Sequence, residues 1–355
     1  MTLQLAGKTV GAGAPAYITF ECGPTHNGLE SAMRLVEAAA RAGGDAVKFQ
    51  IIDADRLVAD PNLMISYGIL KNRGSEELET VSEPLIEPLR RRMLSRDDWR
   101  KLKAHSDKLG LAFFATVGFP EEADFVASIG CASIKIASAD IDHYPLISYA
   151  ARTGLCIQLD TGHATIGEVE AAVDVIRREG NEKIVIHHCP SGYPAKEDGI
   201  NLEIIPTLRR MFPSYPIAYS DHSTGWEMDI AAVALGAELI EKTITEDRAT
   251  RSIEHTMSLE PDEAGRFVAA IRQLEKALGT CRRILSDEER TKRMGNRRSI
   301  HAAKNLAKGA KLSEADVDYR RPGFGITAGQ AQHYFGRKLN RDVAAGVRFA
   351  PADFD

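Results

Sequence analysis

The chain has 355 residues, 44% of them hydrophobic and 27% charged, a balance that supplies a large apolar core and excludes a disordered or fibrous polymer. Forty-five Lys and Arg against 50 Asp and Glu leave a net charge of −5, which argues against a nucleic-acid-binding or membrane-surface protein. No charged-then-apolar leader opens the chain and no apolar run approaches roughly 18 residues, so a cytoplasmic protein is expected. The five cysteines are scattered without a CxxC pair, as in a reducing compartment. Cys22, Cys131, Cys156 and Cys189 lie in or beside apolar stretches, where a thiol is an ordinary small core residue.

Short apolar stretches that read as strands recur at residues 17–21, 46–50, 112–116, 133–136, 156–160, 184–188, 217–220 and 239–242. Between them, apolar residues spaced three and four apart predict helices at 29–42, 96–109, 120–129, 166–178, 226–235 and 262–278. Buried parallel strands joined by crossover helices predict an α/β fold, an eight-stranded TIM barrel of roughly 250 residues. In such barrels the strand ends and the loops after them form the active site. The charged stretch 52–94 is too long for a simple βα loop and reads as a lid or insertion over the mouth. The predicted division is a barrel domain at 1–280, a charged linker at 281–297 (SDEERTKRMGNRR runs from it into the next residue) and a compact β-rich module at 298–355, too small to be more than marginal alone.

Lys48 and Lys135 fall on the second and fourth strands, and two lysines converging on a barrel mouth make an anion site for phosphate or carboxylate. Thr116, Ser138, Ser191 and Ser220 add hydroxyls beside them. The segment YSDHSTG closes the seventh strand, and three roles are open to its His222: metal ligand, proton transfer or helix capping. His26, His187, His188 and His255 are further imidazoles at strand ends or in the loops after them. Asp140, Asp160 and Glu254 are candidate acid/base carboxylates, because burial in a closed mouth raises a carboxyl pKa toward neutrality. Asp160, which opens DTGHAT, also suits a cap or turn.

The ordered set ECGPTHNG (21–28), DAVKFQ (45–50), SIKIASAD (133–140), DTGHAT (160–165), HHCPSGYPA (187–195), YSDHSTG (219–225), SLEPDE (258–263) and RRPGFGI (320–326) resembles the sialic acid synthases, including the spore coat polysaccharide synthesis proteins. The resemblance covers almost the whole chain and ends in what looks like that family's antifreeze-like (SAF) module. It implies a transferase that condenses phosphoenolpyruvate with an open-chain N-acyl-mannosamine-type amino sugar, giving a nonulosonic acid and phosphate in surface polysaccharide biosynthesis. Carried over by motif, Lys48, Thr116, Lys135, Ser138, Ser191 and Ser220 would hold phosphoenolpyruvate, with Asp140 near the reacting carbons. Asn27, Tyr193 and Glu254 would face the sugar. His222 would ligate a divalent metal, Mn2+ or Mg2+, and Arg321 would reach the neighbouring subunit's sugar in a domain-swapped homodimer.

Two positions depart from the family pattern. A second metal-binding histidine, usual after the eighth strand, is Thr243 here, in EKTIT. The usual serine before TG is Asp160, which sets a negative charge beside the expected phosphate; it can donate as a protonated acid, ligate the ion, or signal another substrate. Two other readings keep the same residues: a barrel aldolase or lyase using a Schiff base at Lys48 or Lys135, and a non-catalytic sugar-binding homologue.

Overall fold

The computed structural model describes residues 2–74 and 77–355, and chain contacts divide it into two compact units, Met1–Gly279 and Thr280–Asp355. In the first unit eight parallel strands close into a barrel: β1 (Tyr17–Glu21), β2 (Ala46–Gln50), β3 (Ala112–Thr116), β4 (Ser133–Ile136), β5 (Cys156–Asp160), β6 (Ile184–His188), β7 (Ile217–Asp221) and β8 (Leu239–Thr243). β8 pairs with β1 to complete the ring. All eight expected strands are present, and β7 and β8 each run one residue beyond the expected end. Of the helices longer than five residues in this unit, Tyr144–Arg152 and Ile204–Met211 escape the periodicity argument. Both are short and carry a proline in the first turn, which reads as a breaker although it is tolerated there.

The strands are buried on both faces, so they read as nearly continuous apolar runs, yet the two faces differ in chemistry. Outward residues such as Ile18, Phe20, Val47, Phe49, Ile134 and Ile157 pack against the surrounding helices. Inward residues change character with height. At the lower end Tyr17, Ala46, Ala112, Cys156, Ala218 and Leu239 form an apolar layer, plugged by Leu5 and Val10 of the hairpin Thr2–Leu5/Lys8–Gly11. Two residues higher on the same strands the inward positions are Thr19, Lys48, Lys135, Gln158, His187, Ser220 and Glu241, all buried.

The stretch 52–94 folds as a short helix (Ala54–Leu57), an antiparallel hairpin (Met64–Leu70 with Leu78–Pro84) and a second short helix (Ile86–Arg90). Ala54, Val58 and Ile86 give it a small apolar cluster of its own. The second unit starts with the helix Asp287–Asn296 and continues into the hairpin Ser299–Ala302/Val317–Arg320, extended by isolated bridges such as Leu306 to Val343 and Leu339 to Phe354. Ile300, Leu312, Ile326, Leu339, Val343 and Phe349 form its separate core. Among the described residues no helix is long and apolar enough to cross a membrane.

One ionic cluster lies outside the barrel wall. Lys242 points away from the interior and pairs with Asp221, with Asp229 at 3.6 Å and the Ser223 carbonyl at 2.7 Å. Asp221 also accepts from the Tyr219 hydroxyl at 2.8 Å and from the Ser223 N–H and hydroxyl, both at 2.9 Å, which ties the start of the loop after β7 to β8. Lys242→Met removes the one ammonium that, among the described residues, pairs with these two buried carboxylates, and is expected to destabilise the barrel by about 3–5 kcal/mol, measured by urea unfolding. A loss below about 1 kcal/mol would show that the carboxylates do not depend on this cation.

Candidate active site

At the carboxyl ends of the strands a cavity of about 390 Å3 opens above the polar layer. Its floor and walls include Lys48, Thr116, Ser138, Asp140, Asp160 and Glu241 from the barrel. Tyr193, His222 and Glu254 come from the loops after β6, β7 and β8, and the 52–94 insertion adds Asp53, Leu57, Ile65, Leu89 and Arg92. A larger groove of about 670 Å3 lies at the other end of the barrel beside the N-terminal hairpin, but its charged residues are only Lys8, Asp45 and Arg272. The mouth holds the converging ionisable groups and is the chemically competent site.

Glu241 organises the floor. Its two carboxylate oxygens accept from different ammonium groups, Lys48 at 2.8 Å and Lys135 at 2.8 Å. Burial works against its charge, yet the two lysines override that and hold its carboxyl well below the ordinary range. Lys48 pairs in addition with Glu21, whose Oε1 accepts the Gly23 N–H at 2.6 Å. For Lys48, burial favours the neutral amine, but Glu21 and Glu241 together raise its pKa well above normal. Burial, with Glu241 and Glu254 nearby, raises Glu21 to about 7 against the pull of Lys48.

Lys135 is fully buried beneath this floor and does not line the cavity. Besides Glu241 it reaches Asp160 at 2.9 Å, Ser220 at 3.1 Å and His187 Nδ1 at 3.1 Å, so its three N–H groups are all committed. The Ser220 hydroxyl donates to Asp160 at 2.9 Å. His187 Nε2 lies 2.9 Å from the Gln158 side-chain oxygen, and Gln158 donates onward to Ser133 at 2.6 Å. Burial, then the Lys135 charge, lowers the His187 pKa to about 3, so the ring is neutral and donates through Nε2.

The remaining candidates divide by position. Ser138 lines the cavity and accepts the Gly162 N–H at 3.0 Å; a Cβ on Gly162 would come within 2.6 Å of that hydroxyl, so only glycine permits the approach. Asp140 is half-buried on the wall, its pKa raised by burial against the opposing effect of His143. Glu254 is buried and likewise raised by burial, opposed by His222 and Arg92. The Tyr193 ring lies 4.6 Å from the His222 ring. Ser191 is exposed and lines an adjoining groove with Thr161 and Gly162, while Asn27 is exposed and Ser220 lies below the floor; none of the three lines the cavity. Arg321 is exposed in the second unit. Glu21, Glu241 and Arg92 are the site residues that sequence reasoning passed over.

A divalent ion needs several converging donors. His222 Nδ1 donates to the Pro190 carbonyl at 3.0 Å, and against the effect of burial Cys189, Glu254 and that carbonyl raise its pKa to about 10, which favours the imidazolium over a neutral, metal-ligating ring. Of the other candidate imidazoles, His188 lies 2.6 Å from the Ile200 carbonyl and His255 2.7 Å from Thr245, while His26 is buried against Phe49 and Trp99, its ring nitrogens without a hydrogen-bond partner among the described residues. Among the described residues no group of three or more His, Cys, Asp or Glu side chains is placed to hold a metal, and Thr243 contributes only a buried hydroxyl. The residues present do not fit a preformed divalent site.

The sequence model of the NeuB family matches residues 35–283. An N,N'-diacetyllegionaminic acid synthase of Legionella pneumophila is 35% identical over 346 residues, 96% of this chain and 95% of its own. The spore coat polysaccharide biosynthesis protein SpsE of Bacillus subtilis is 36% identical over 367 residues, 99% of this chain and 94% of its own. The crystal structure of an N-acetylneuraminic acid synthetase from Leptospira borgpetersenii superposes with a TM-score of 0.71 at 30% identity, covering 82% of this chain and 95% of that one. A barrel with this ordered motif set, matched along nearly its whole length by such relatives, belongs to the NeuB family.

Proposed function

We propose that the protein condenses phosphoenolpyruvate with an open-chain N-acyl amino sugar to give a nonulosonic acid and phosphate. The observation that supports this reading is the cavity itself: Lys48 on its floor, Ser138 and Thr116 beside it, and Tyr193, Glu254 and Asp140 around its walls. The enol π-pair joins carbon 3 of phosphoenolpyruvate to the sugar aldehyde carbon, and the aldehyde oxygen takes up a proton. Water adds to carbon 2 and loses one proton, and the hydroxyl so formed loses the other as carbon 2 becomes a carbonyl and the C–O bond breaks, its electron pair leaving with phosphate. Asp140, whose burial favours the protonated form, suits the donor role, and the Lys48 ammonium stabilises negative charge at the phosphate end. No step is assigned to a metal. In the assembly, Arg321 of the antifreeze-like module would complete a partner's site in a domain-swapped homodimer.

The Schiff-base alternative requires a neutral amine, and Lys48 is held charged by two carboxylates while Lys135 is spent on four acceptors beneath the floor. Both lysines therefore serve the site as cations.

Incubating the purified protein with phosphoenolpyruvate and a panel of N-acyl hexosamines should release phosphate and yield a sugar acid extended by three carbons, read by mass. Phosphate release without the extended product would overturn the condensation. Asp160→Ser removes a carboxylate 2.9 Å from Lys135 while Glu241 still balances that cation, so the variant is expected to bind phosphoenolpyruvate about tenfold more tightly by calorimetry. Unchanged affinity would place the bound anion away from Asp160. Deprotonating Glu21 adds a negative charge to the floor. Sulfate, whose own charge is constant near neutrality, is thus expected to bind more weakly as pH rises through about 7, and Glu21→Gln should flatten that profile. A wild-type profile that is already flat would remove Glu21 from the anion site.

A further inference from the structure

Three consecutive arginines close the insertion, and they have different fates. Arg90 pairs with Asp55 at 2.5 Å and Arg91 with Glu83 at 2.5 Å, both on the exposed side. Arg92 turns inward and is 5% exposed, yet it lines the mouth cavity. Its Nε donates to the Pro88 carbonyl at 2.9 Å, and its backbone N–H donates to Leu89 at 3.1 Å, which fixes the root of the side chain. Among the described residues no carboxylate stands within the 4.0 Å of an ion pair with Arg92, and no protein group accepts from its two terminal nitrogens.

A buried guanidinium with unmatched donors is costly unless something else accepts from it. The other cations of the mouth are already matched: Lys48 by Glu21 and Glu241, Lys135 by Glu241 and Asp160. Among the guanidinium and ammonium groups lining the cavity, Arg92 alone has no paired carboxylate among the described residues. Its planar fork of N–H groups suits two oxygens of a phosphate or carboxylate. Burial lowers its pKa, while Glu254 and Glu21, which line the same cavity, favour its charge through the intervening space.

We propose that Arg92 is a substrate-binding residue, delivered by the 52–94 insertion, that takes an anionic phosphate or carboxylate group of a substrate bound in the mouth. The synthase reading names the substrates, but the site itself stands on its geometry.

The test compares wild type, Arg92→Gln and Arg92→Lys in calorimetric titrations with phosphoenolpyruvate, inorganic phosphate, a neutral N-acyl hexosamine and its 6-phosphate. Arg92→Gln should weaken at least one anion about tenfold or more and leave the neutral sugar unchanged, with Arg92→Lys in between. Weakening of phosphoenolpyruvate alone assigns Arg92 to the donor; weakening of the sugar phosphate alone assigns it to a charged acceptor. Arg91→Gln, which removes an exposed paired arginine, should change none of them. The proposal is overturned if the Arg92→Gln protein, shown folded by its thermal transition, binds every anion as wild type does, or if Arg91→Gln weakens them equally. Because binding is read without turnover, absence of condensation in the wild type leaves this test intact.

Discussion

The single carboxylate of Glu241 holds the centre of the barrel together. Each of its oxygens accepts from a different buried ammonium, so one acid on β8 couples Lys48 on β2 to Lys135 on β4 across the interior. Two like charges packed this closely repel, and in a low-dielectric interior the repulsion is poorly screened. Glu241 converts that repulsion into a fixed arrangement, and Glu21 and Asp160 complete it at either end. Removing the bridging acid would leave two buried cations sharing one fewer counter-charge, a larger loss than the removal of any hydroxyl in the same layer.

From this chain of charges follows the division of labour along the barrel axis. The apolar lower layer and its hairpin plug keep water from the underside of the ions. The ionic layer fixes the side chains, with His187, Gln158 and Ser133 extending the hydrogen bonding until the buried polar groups of that arc are satisfied. Only the top of the layer faces the cavity. Outside the wall, Lys242 and Asp221 secure the loop that carries His222, so adjacent residues of β8 serve opposite sides: Glu241 inward for the floor and Lys242 outward for the frame.

That alternation explains what the sequence discloses and what it conceals. The eight strands are legible because strands buried on both faces are short apolar runs, and Lys48 and Lys135 stand out as charges within such runs. Glu241 stands in an equally apolar run but next to Lys242, where the pair EK reads as a local ion pair. Counting by twos from Leu239 would have placed Glu241 on the same face as Glu21 and Lys48 and sent Lys242 outward, so the signal was present in the parity. Ser220 and Lys135 stand out as polar residues on apolar strands, but their depth below the cavity floor depends on how far each strand rises, which no local pattern encodes. Arg92 was hidden for a different reason. In the run RRR every residue looks like a solvated face, and only the turn after Ile86–Arg90 decides which of the three goes inward.

The charge of the mouth constrains how it can accept a substrate bearing several negative charges. Glu21, Asp160 and Glu241 face Lys48 and Lys135, so the floor is at best neutral. An incoming phosphate must then be met by charge from outside the floor or by protons taken up within it. Arg92 answers the first need from above. Glu21 answers the second, because its carboxyl is already raised to about 7, and a nearby anion favours its protonated form further. Anion binding and proton uptake at Glu21 are therefore coupled: each bound anion strengthens the hold on a proton, and each proton removes the charge that would repel the anion. A floor of paired ions, too nearly balanced to bind an anion by itself, becomes receptive through one unpaired guanidinium and one carboxyl poised to change state.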